Sequence, residues 1–252
     1  MSMFVTFPYE DRIEMLTDGA CYNKRGTLFM ASEKVWRSPD CPMMVTGRGN
    51  AKMVRELAKA CLGFAQCGSF AQAIRDIELH FDEWRERNGE YQGQTFQMLI
   101  AGWHEDTGFS QFHVVSHANW IPGMEPMRVN TVWGVFWAGP PIDPIKANPI
   151  LTEERVKAGA TVFGPELAQL ARETPMQQWE SGMILHSVGC HIDHTVLTRH
   201  GVETKRLLKW PDKRLQKIDP DLKPEILLAP EPKVSALDLR PPHWIVEQGR
   251  AA

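Results

Sequence analysis

The sequence has 252 residues, 43% of them hydrophobic and 23% charged, and this composition excludes an intrinsically disordered chain. Its 28 Lys and Arg against 31 Asp and Glu give a formal charge of −3, whereas dedicated nucleic-acid binders carry a basic excess. The five cysteines are scattered and include no Cys-x-x-Cys pair, so we expect reduced thiols and a cytoplasmic protein. No segment approaches the roughly 18 apolar residues of a membrane helix, and the N-terminus lacks the features of a secretory signal.

Short strand patterns fill the first fifty residues. Residues 4–7 and 13–16 predict a hairpin, and residues 27–30 and 43–46 predict two further strands. The glycines within residues 47–50 predict that the last of these strands ends there.

Two helices are predicted next. The first covers residues 51–65, where apolar side chains form one stripe. Ser69 predicts the N-cap of the second helix. Its apolar positions recur at helical spacing and are Phe70, Ile74, Ile77, Phe81 and Trp84.

Strand patterns then return. Residues 95–100, 111–115 and 129–137 each predict a strand, and residues 191–197 and 202–208 predict a final hairpin. Between these blocks, residues 152–172 predict helix interrupted at Gly164-Pro165, and residues 176–185 give a weak helical pattern.

Beyond Trp210 seven prolines alternate with charges and short apolar pieces, which predicts an extended segment without a core of its own. We therefore expect one domain over residues 1–210 and a Pro-rich extended tail over residues 211–252. The order of strands, paired helices and strands favours an α+β fold of two sheets with helical layers outside them.

This order, read with Thr17-Asp18-Gly19-Ala20 and Ser32-Glu33-Lys34-Val35, resembles the proteasome β-subunit branch of the N-terminal-nucleophile hydrolases. In that family the mature chain begins with Thr, Ser or Cys, a hairpin leads to an Asp, and a further strand carries a Lys. If Met1 is removed, Ser2 becomes the first residue, and Asp18 and Lys34 follow at the family's spacing. The resemblance covers roughly residues 2–120 and 187–209.

The resemblance implies a four-layer αββα sandwich of two mostly antiparallel sheets and a hydrolase for amide or peptide bonds. Ser2 would be the nucleophile, and its own amine, which has an ordinary pKa of about 7.7–8.0, would be the base. Lys34 would lower the pKa of that amine because like charges disfavour protonation, and Asp18 would hold Lys34. Gly47 would supply an oxyanion-hole N–H, no cofactor is implied, and self-association is expected.

Two segments depart from the family pattern and leave a second hypothesis open. Trp137-Ala138-Gly139 stands where the family has a Ser-Gly pair, and residues 185–190 lack the family's Asp. The alternative is a catalytically inactive protein of the same fold that serves as a structural or assembly component, with its tail wrapped around a neighbouring subunit. Whether the protein is an enzyme thus stays open at this point.

One cluster invites a metal hypothesis, and it consists of His186, Cys190, His191, Asp193 and His194. On a strand, His191 and Asp193 share one face while His194 takes the other, so too few ligands face one way for a closed zinc site. We expect ordinary strand residues and no metal. Cys21, close to Asp18 in sequence, is either a reactive thiol or, as is more common, a buried one.

Overall fold

The computed structural model describes residues 3–93, 95–117, 123–177, 182–233 and 235–237, and its fold is mixed α/β with several antiparallel sheets. The strands of these residues are, in chain order, β1 (Phe4–Pro8), β2 (Ile13–Asp18), β3 (Ala20–Tyr22), β4 (Leu28–Ala31), β5 (Val35–Arg37), β6 (Met43–Gly49), β7 (Phe96–His104), β8 (Gly108–Val115), β9 (Asn130–Val132), β10 (Phe136–Ala138), β11 (Met176–Gln177), β12 (Ile184–Leu185), β13 (His191–Thr198), β14 (Gly201–Lys209) and β15 (Glu225–Ile226). The helices are α1 (Ala51–Phe64), α2 (Phe70–Asn88), α3 (Pro144–Ala147), α4 (Glu153–Ala158) and α5 (Ala160–Glu173), with a 3-10 turn at Ala65–Cys67.

The larger sheet has six strands in the order β10-β1-β2-β13-β14-β15, all paired antiparallel. The predicted hairpin of β1 and β2 is present, and the Tyr9 N–H closes it by donating to the Arg12 carbonyl. The predicted hairpin of β13 and β14 is also present, and β13 pairs with β2 so that Ile13 lies opposite Leu197. The N-terminal strand β1 is therefore an interior strand, with β10 on one side and β2 on the other.

The second sheet has five strands in the order β5-β6-β7-β8-β9, again all antiparallel. The predicted end of β6 before residues 47–50 is wrong, because its pairing with β7 continues to Gly49 opposite Phe96. Its pairing with β5 stops at Thr46. Residues 47–49 therefore pair with β7 alone among the described strands.

The single strand predicted over residues 129–137 is wrong, because this segment forms β9 and β10 in different sheets. β9 pairs with β8, whereas β10 pairs with β1. Gly134 lies between them with a φ of +60°, a left-handed conformation that glycine adopts without a steric penalty. The chain turns there and passes from the five-stranded to the six-stranded sheet.

Helices α1 and α2 confirm the sequence prediction. The Asn50 side chain accepts the N–H of Met53 at the start of α1, and Ser69 accepts the N–H of Gln72 at the start of α2. None of the helices in the described parts of the chain is long and apolar enough to cross a membrane.

The later helical predictions need correction. The break lies at Gly159, whose φ is +99°, and α5 continues through Gly164 and Pro165. Buried Phe163 and Leu167 on either side of the proline pack against the larger sheet and hold the helix together there. The helix predicted over residues 176–185 is wrong, because its two ends are the paired strands β11 and β12.

Three apolar clusters join these elements. Side chains of α1 and α2 pack against one face of the five-stranded sheet, and those of α5 pack against one face of the six-stranded sheet. A third cluster contains Phe4, Ile13 and Met15 from the larger sheet together with Met44 and Leu99 from the smaller one. This contact fixes β1 and β2 relative to β6, and these strands carry the candidate site.

The described part of the predicted tail runs along its own chain. β15 pairs with the edge strand β14, and Ile218 is buried. The N–H groups of Lys233 and Ser235 donate to carbonyls at the end of α4, and the Glu10 N–H donates to Ala236. The division at residue 210 and the wrapping of a neighbouring subunit remain predictions.

Candidate functional site

A buried ion pair between Asp18 and Lys34 forms the centre of the candidate site. Lys34 Nζ lies 3.0 Å from Asp18 Oδ1, and the two side chains are 9% and 0% exposed, respectively. Lys34 Nζ also donates to the Ala20 carbonyl oxygen at 2.7 Å. A buried ammonium is costly unless it is paired and hydrogen-bonded, so these contacts hold it at one place.

The same carboxylate binds the first residue that the structure describes. Asp18 Oδ1 accepts the N–H of Met3 at 2.9 Å, and the Met3 carbonyl accepts the N–H of Asp18 at 3.2 Å. These bonds extend the ladder between β1 and β2, in which Phe4 pairs with Thr17. The predicted nucleophile Ser2 lies outside the described residues. Its sequence neighbour Met3 contacts the carboxylate that holds Lys34.

The turn after Asp18 is shaped by close packing. Asp18 Oδ2 accepts the N–H of Ala20 at 3.0 Å, so one carboxylate orients β1, β3 and Lys34. Gly19 packs against the ring of His191, and a Cβ at residue 19 would lie 2.1 Å from a ring carbon. Glycine is required there because the ring occupies the space of a side chain.

Gly47 lies at a second close approach. A Cβ at residue 47 would lie 2.6 Å from the Gln97 carbonyl oxygen and 2.7 Å from a methyl group of Val54. Substitution would therefore push β6 away from β7 or from α1, and this explains why the position carries glycine.

The backbone direction of Gly47 follows from the antiparallel ladder. Hydrogen-bonding directions alternate along a strand, and the N–H of Asn50, next after β6, donates to the Thr95 carbonyl on the β7 side. Gly47 lies three residues before Asn50, and the direction reverses at each residue, so the N–H of Gly47 points away from β7. That is the side on which β5 begins, one residue after Lys34.

A cleft of about 440 Å³ opens between β3 and the start of α1. Lys34 and Gly47 both line it, and Asp18 contacts Lys34 from the protein interior. The structure thus brings three of the four predicted site residues to one place. The other lining residues are Ala20, Cys21, Tyr22, Asn23, Lys24, Phe29, Ser32, Glu33, Trp36, Arg48, Gly49, Asn50, Ala51, Lys52, Val54, Arg55 and Thr95.

Three polar residues in or near the cleft have pKa values shifted by burial: Arg48 and His113, which are buried, and Tyr22, which is half-buried. Burial lowers the pKa of Arg48, and burial together with the charge of Asp18 raises the pKa of Tyr22. Burial, reinforced by the charge of Arg48, lowers the pKa of His113 to about 3. His113 is therefore neutral at physiological pH, while the guanidinium of Arg48 adds positive charge to the lining of the cleft.

Cys21 resembles an ordinary thiol more than a reactive one. It is half-buried in β3, and burial raises its pKa more than the charge of Lys34 lowers it. A thiol with a raised pKa holds little thiolate near neutral pH, and this disfavours a nucleophilic role.

The His-rich segment forms two separate pairs. His191 Nε2 lies 3.2 Å from Asp193, as expected for two residues on one face of a strand, and Arg206 also contacts Asp193. His194 faces the other way and lies 3.0 Å from Glu14. In the described part of the chain, no group of three or more His, Cys, Asp or Glu residues is placed to hold a metal ion.

Sequence reasoning identified Lys34 but missed the other basic residues of the cleft. Lys52 and Arg55 lie one helical turn apart on α1 and line the cleft with Lys24. The signal that could have identified Lys52 and Arg55 is their i, i+3 spacing at the start of the helix that follows Gly47, because residues three apart share a helix face.

Comparisons with known proteins assign the chain to no family. No protein-family model matches the sequence, and no curated protein matches it.

Proposed function

We propose that the protein is an N-terminal-nucleophile hydrolase of the proteasome-like type, which cleaves an amide or peptide bond through Ser2 after removal of Met1. One observation carries the proposal: a buried carboxylate, Asp18, binds both the Lys34 ammonium and the N–H of Met3, which directly follows Ser2. Gly47 and Lys34 line one cleft, and this supports a reaction centre between them.

The proposed fold is the four-layer αββα sandwich. The three apolar clusters support this arrangement, because they join α1 and α2 to one sheet, the two sheets to each other, and α5 to the second sheet. Such a layered order is a stable way to bury both faces of two sheets.

The proposed reaction is acyl transfer. The Ser2 amine takes the proton of the Ser2 hydroxyl, and the hydroxyl oxygen attacks the substrate carbonyl carbon. The carbonyl oxygen gains negative charge, which the N–H of Gly47 stabilises. The C–N bond then breaks, the leaving amine takes the proton from the Ser2 amine, and an acyl ester remains. Water hydrolyses this ester by the same base, releasing the acid and restoring the Ser2 hydroxyl.

In this mechanism Lys34 acts on the base by charge. Its ammonium disfavours protonation of a nearby amine, so a larger fraction of the amine is free at neutral pH. Asp18 is a positioning residue because its carboxylate contacts Lys34 and not the reacting bond.

The test combines mass spectrometry with a covalent probe. We expect intact mass to show that Met1 is absent, and a β-lactone or epoxyketone probe to label the peptide that begins with Ser2. Ser2→Ala should abolish labelling with the unfolding temperature unchanged. Retained Met1, or a label on Ser32 or Cys21 in the same cleft, contradicts the proposal.

A second function is favoured by two observations. Ala138 is buried in the apolar cluster between the sheets, so β10 offers no hydroxyl where the family has a Ser-Gly pair. Ser187 lies in the segment 185–190 that lacks the family's Asp, and its hydroxyl donates to the sulfur of Met176. These features suit an inactive protein of the same fold that acts in an assembly. If so, a chain ending at residue 237 should form a smaller oligomer in light scattering, and the probe should label neither chain.

A further inference from the structure

The cleft at the proposed reaction centre has a strong charge imbalance. Five basic residues line it, whereas Glu33 is the one acidic residue among its described lining. The basic residues are Lys24, Lys34, Arg48, Lys52 and Arg55. The whole chain has a formal charge of −3, so this positive charge is local to the cleft.

Two of these cations are placed to meet a ligand. Lys52 and Arg55 are exposed and lie on the first turns of α1, on one face of the helix. Neither makes an ion pair with a carboxylate of the described residues, whereas Lys59 further along α1 pairs with Glu56 and does not line the cleft.

The charge of Arg55 is felt at Cys21, another residue that lines the cleft. It lowers the pKa of the Cys21 thiol, in the same direction as Lys34 and against the larger effect of burial. Arg55 and Lys34 both line the cleft, and the charges of both act on the Cys21 thiol. A negative group between them would interact with both charges.

The remaining walls suit a small substrate side chain. Phe29, Trp36 and Val54 are apolar residues of the same lining. The negative formal charge of the whole chain disfavours a long polyanion, while a single carboxylate on an aliphatic stem fits an apolar wall with a basic rim.

We infer that the cleft selects peptides with an acidic side chain on the residue whose carbonyl is attacked, and that Arg55 and Lys52 bind its carboxylate. This inference rests on the proposed function, since Gly47 is taken to hold the oxygen of that carbonyl. The side chain of the same residue then projects into the space lined by Lys52 and Arg55.

The first experiment measures turnover of four peptide amides that carry an aminocoumarin reporter and differ only in Glu, Gln, Leu or Lys before it. We expect kcat/KM for Glu to exceed that for Gln by about tenfold or more. The ratio should fall as salt rises from about 0.02 to about 0.5 M, because salt screens exposed charges. Arg55→Glu should remove the preference for Glu, while Lys59→Glu, the same charge change outside the cleft, should leave it intact.

A second measurement separates this inference from the proposed hydrolysis. Fluorescence anisotropy gives the affinities of labelled Glu and Gln peptides without requiring turnover. Equal turnover and equal binding of the two overturn the acidic preference and leave the hydrolase standing. Selective binding of the Glu peptide that Arg55→Glu abolishes, with no turnover of any peptide, supports the acidic preference and overturns the hydrolase.

Discussion

Glu14 is a buried carboxylate that lies outside the candidate site. Its side chain is 3% exposed, and it accepts hydrogen bonds from Arg12 Nε at 2.6 Å and the Ala160 N–H at 2.7 Å, and contacts His194 Nε2 at 3.0 Å. Burial alone would raise its pKa, but the hydrogen bond and charge of His194, with the other two donors, hold the pKa of Glu14 at about 2. The carboxylate ties β2 to β13 and to the start of α5.

The low pKa of Glu14 predicts that the free energy of unfolding decreases as the pH falls. The folded-state pKa lies below the ordinary value of 4.5, so the unfolded chain binds the proton more readily. Glu14 therefore stabilises the fold fully above about pH 4.5, and this stabilisation is lost as the pH falls toward 2. We expect Glu14→Gln to lower the free energy of unfolding by about 3 kcal/mol at pH 7 and to flatten its pH dependence below pH 5.

Urea unfolding between pH 2.5 and pH 7 provides the measurement. Glu56→Gln is the control, because Glu56 forms an exposed ion pair with Lys59 that contributes about 0–1 kcal/mol. Equal pH slopes for wild type and Glu14→Gln would show that Glu14 does not set the acid lability.

The junction between α5 and the C-terminal segment depends on Arg172 and Asp212. The fully buried guanidinium of Arg172 makes two hydrogen bonds to the Asp212 carboxylate, at 2.6 and 2.9 Å, and stacks on Trp210. Asp212 also accepts the N–H of Cys190, whose φ is +64°. One carboxylate therefore connects a helix, the loop before β13 and the start of the tail.

Asp212→Ala should destabilise the protein strongly. It leaves the buried Arg172 charge without a carboxylate, with only the carbonyl oxygens of Val188 and Asp219 as acceptors. Loss of the ionic partner of a buried charge costs about 3–5 kcal/mol. Asp221 is an exposed residue of the same segment, and Asp221→Ala should change the free energy of unfolding by no more than about 0.5 kcal/mol. Both values come from denaturant unfolding at pH 7. A loss below about 1 kcal/mol for Asp212→Ala would mean that solvent or another group compensates Arg172.

At the level of elements, the sequence predicted those helices and hairpins whose formation depends on residues close to one another in the chain. The stripe of α1, the Ser69 cap of α2 and both hairpins follow from side-chain periodicity and turn residues close in sequence. The misassigned segments depend on distant partners: β6 continues past Thr46 because β7 pairs with it, and the strand over 129–137 splits because its halves face different sheets. The candidate site likewise contains residues that the sequence indicated and residues that only the structure shows. The resemblance to the proteasome β-subunit branch indicated Asp18, Lys34 and Gly47, whereas only the three-dimensional structure shows that Lys52 and Arg55 line the same cleft.

For the whole molecule, the described part of the segment after residue 210 packs against the elements that precede it. Leu222, Leu228 and Leu237 pack against the cluster between α5 and the larger sheet, and Ile218 fills a cluster with Ala20 and Leu28. The extended segment contributes to the core although it forms no core of its own.

A chain ending at Trp210 should therefore lose more stability than Asp212→Ala does. It lacks Asp212 and also exposes the apolar surface that residues 218–237 cover. We expect lower unfolding stability than in the variant and increased binding of a hydrophobic dye, both measured against the full chain. Equal stability of the truncated chain and Asp212→Ala would show that Asp212 accounts for the whole contribution of this segment.

The interior position of β1 has a consequence for the timing of folding. Its partner strands are β2, which follows at once, and β10, near residue 138, while β2 in turn requires β13, which ends at Thr198. Closing such distant contacts is slow, and during synthesis it cannot finish before about four-fifths of the chain has left the ribosome. The larger sheet that carries Asp18 is thus completed late, and the next residue, Gly19, meets the His191 ring only when the hairpin of β13 and β14 docks.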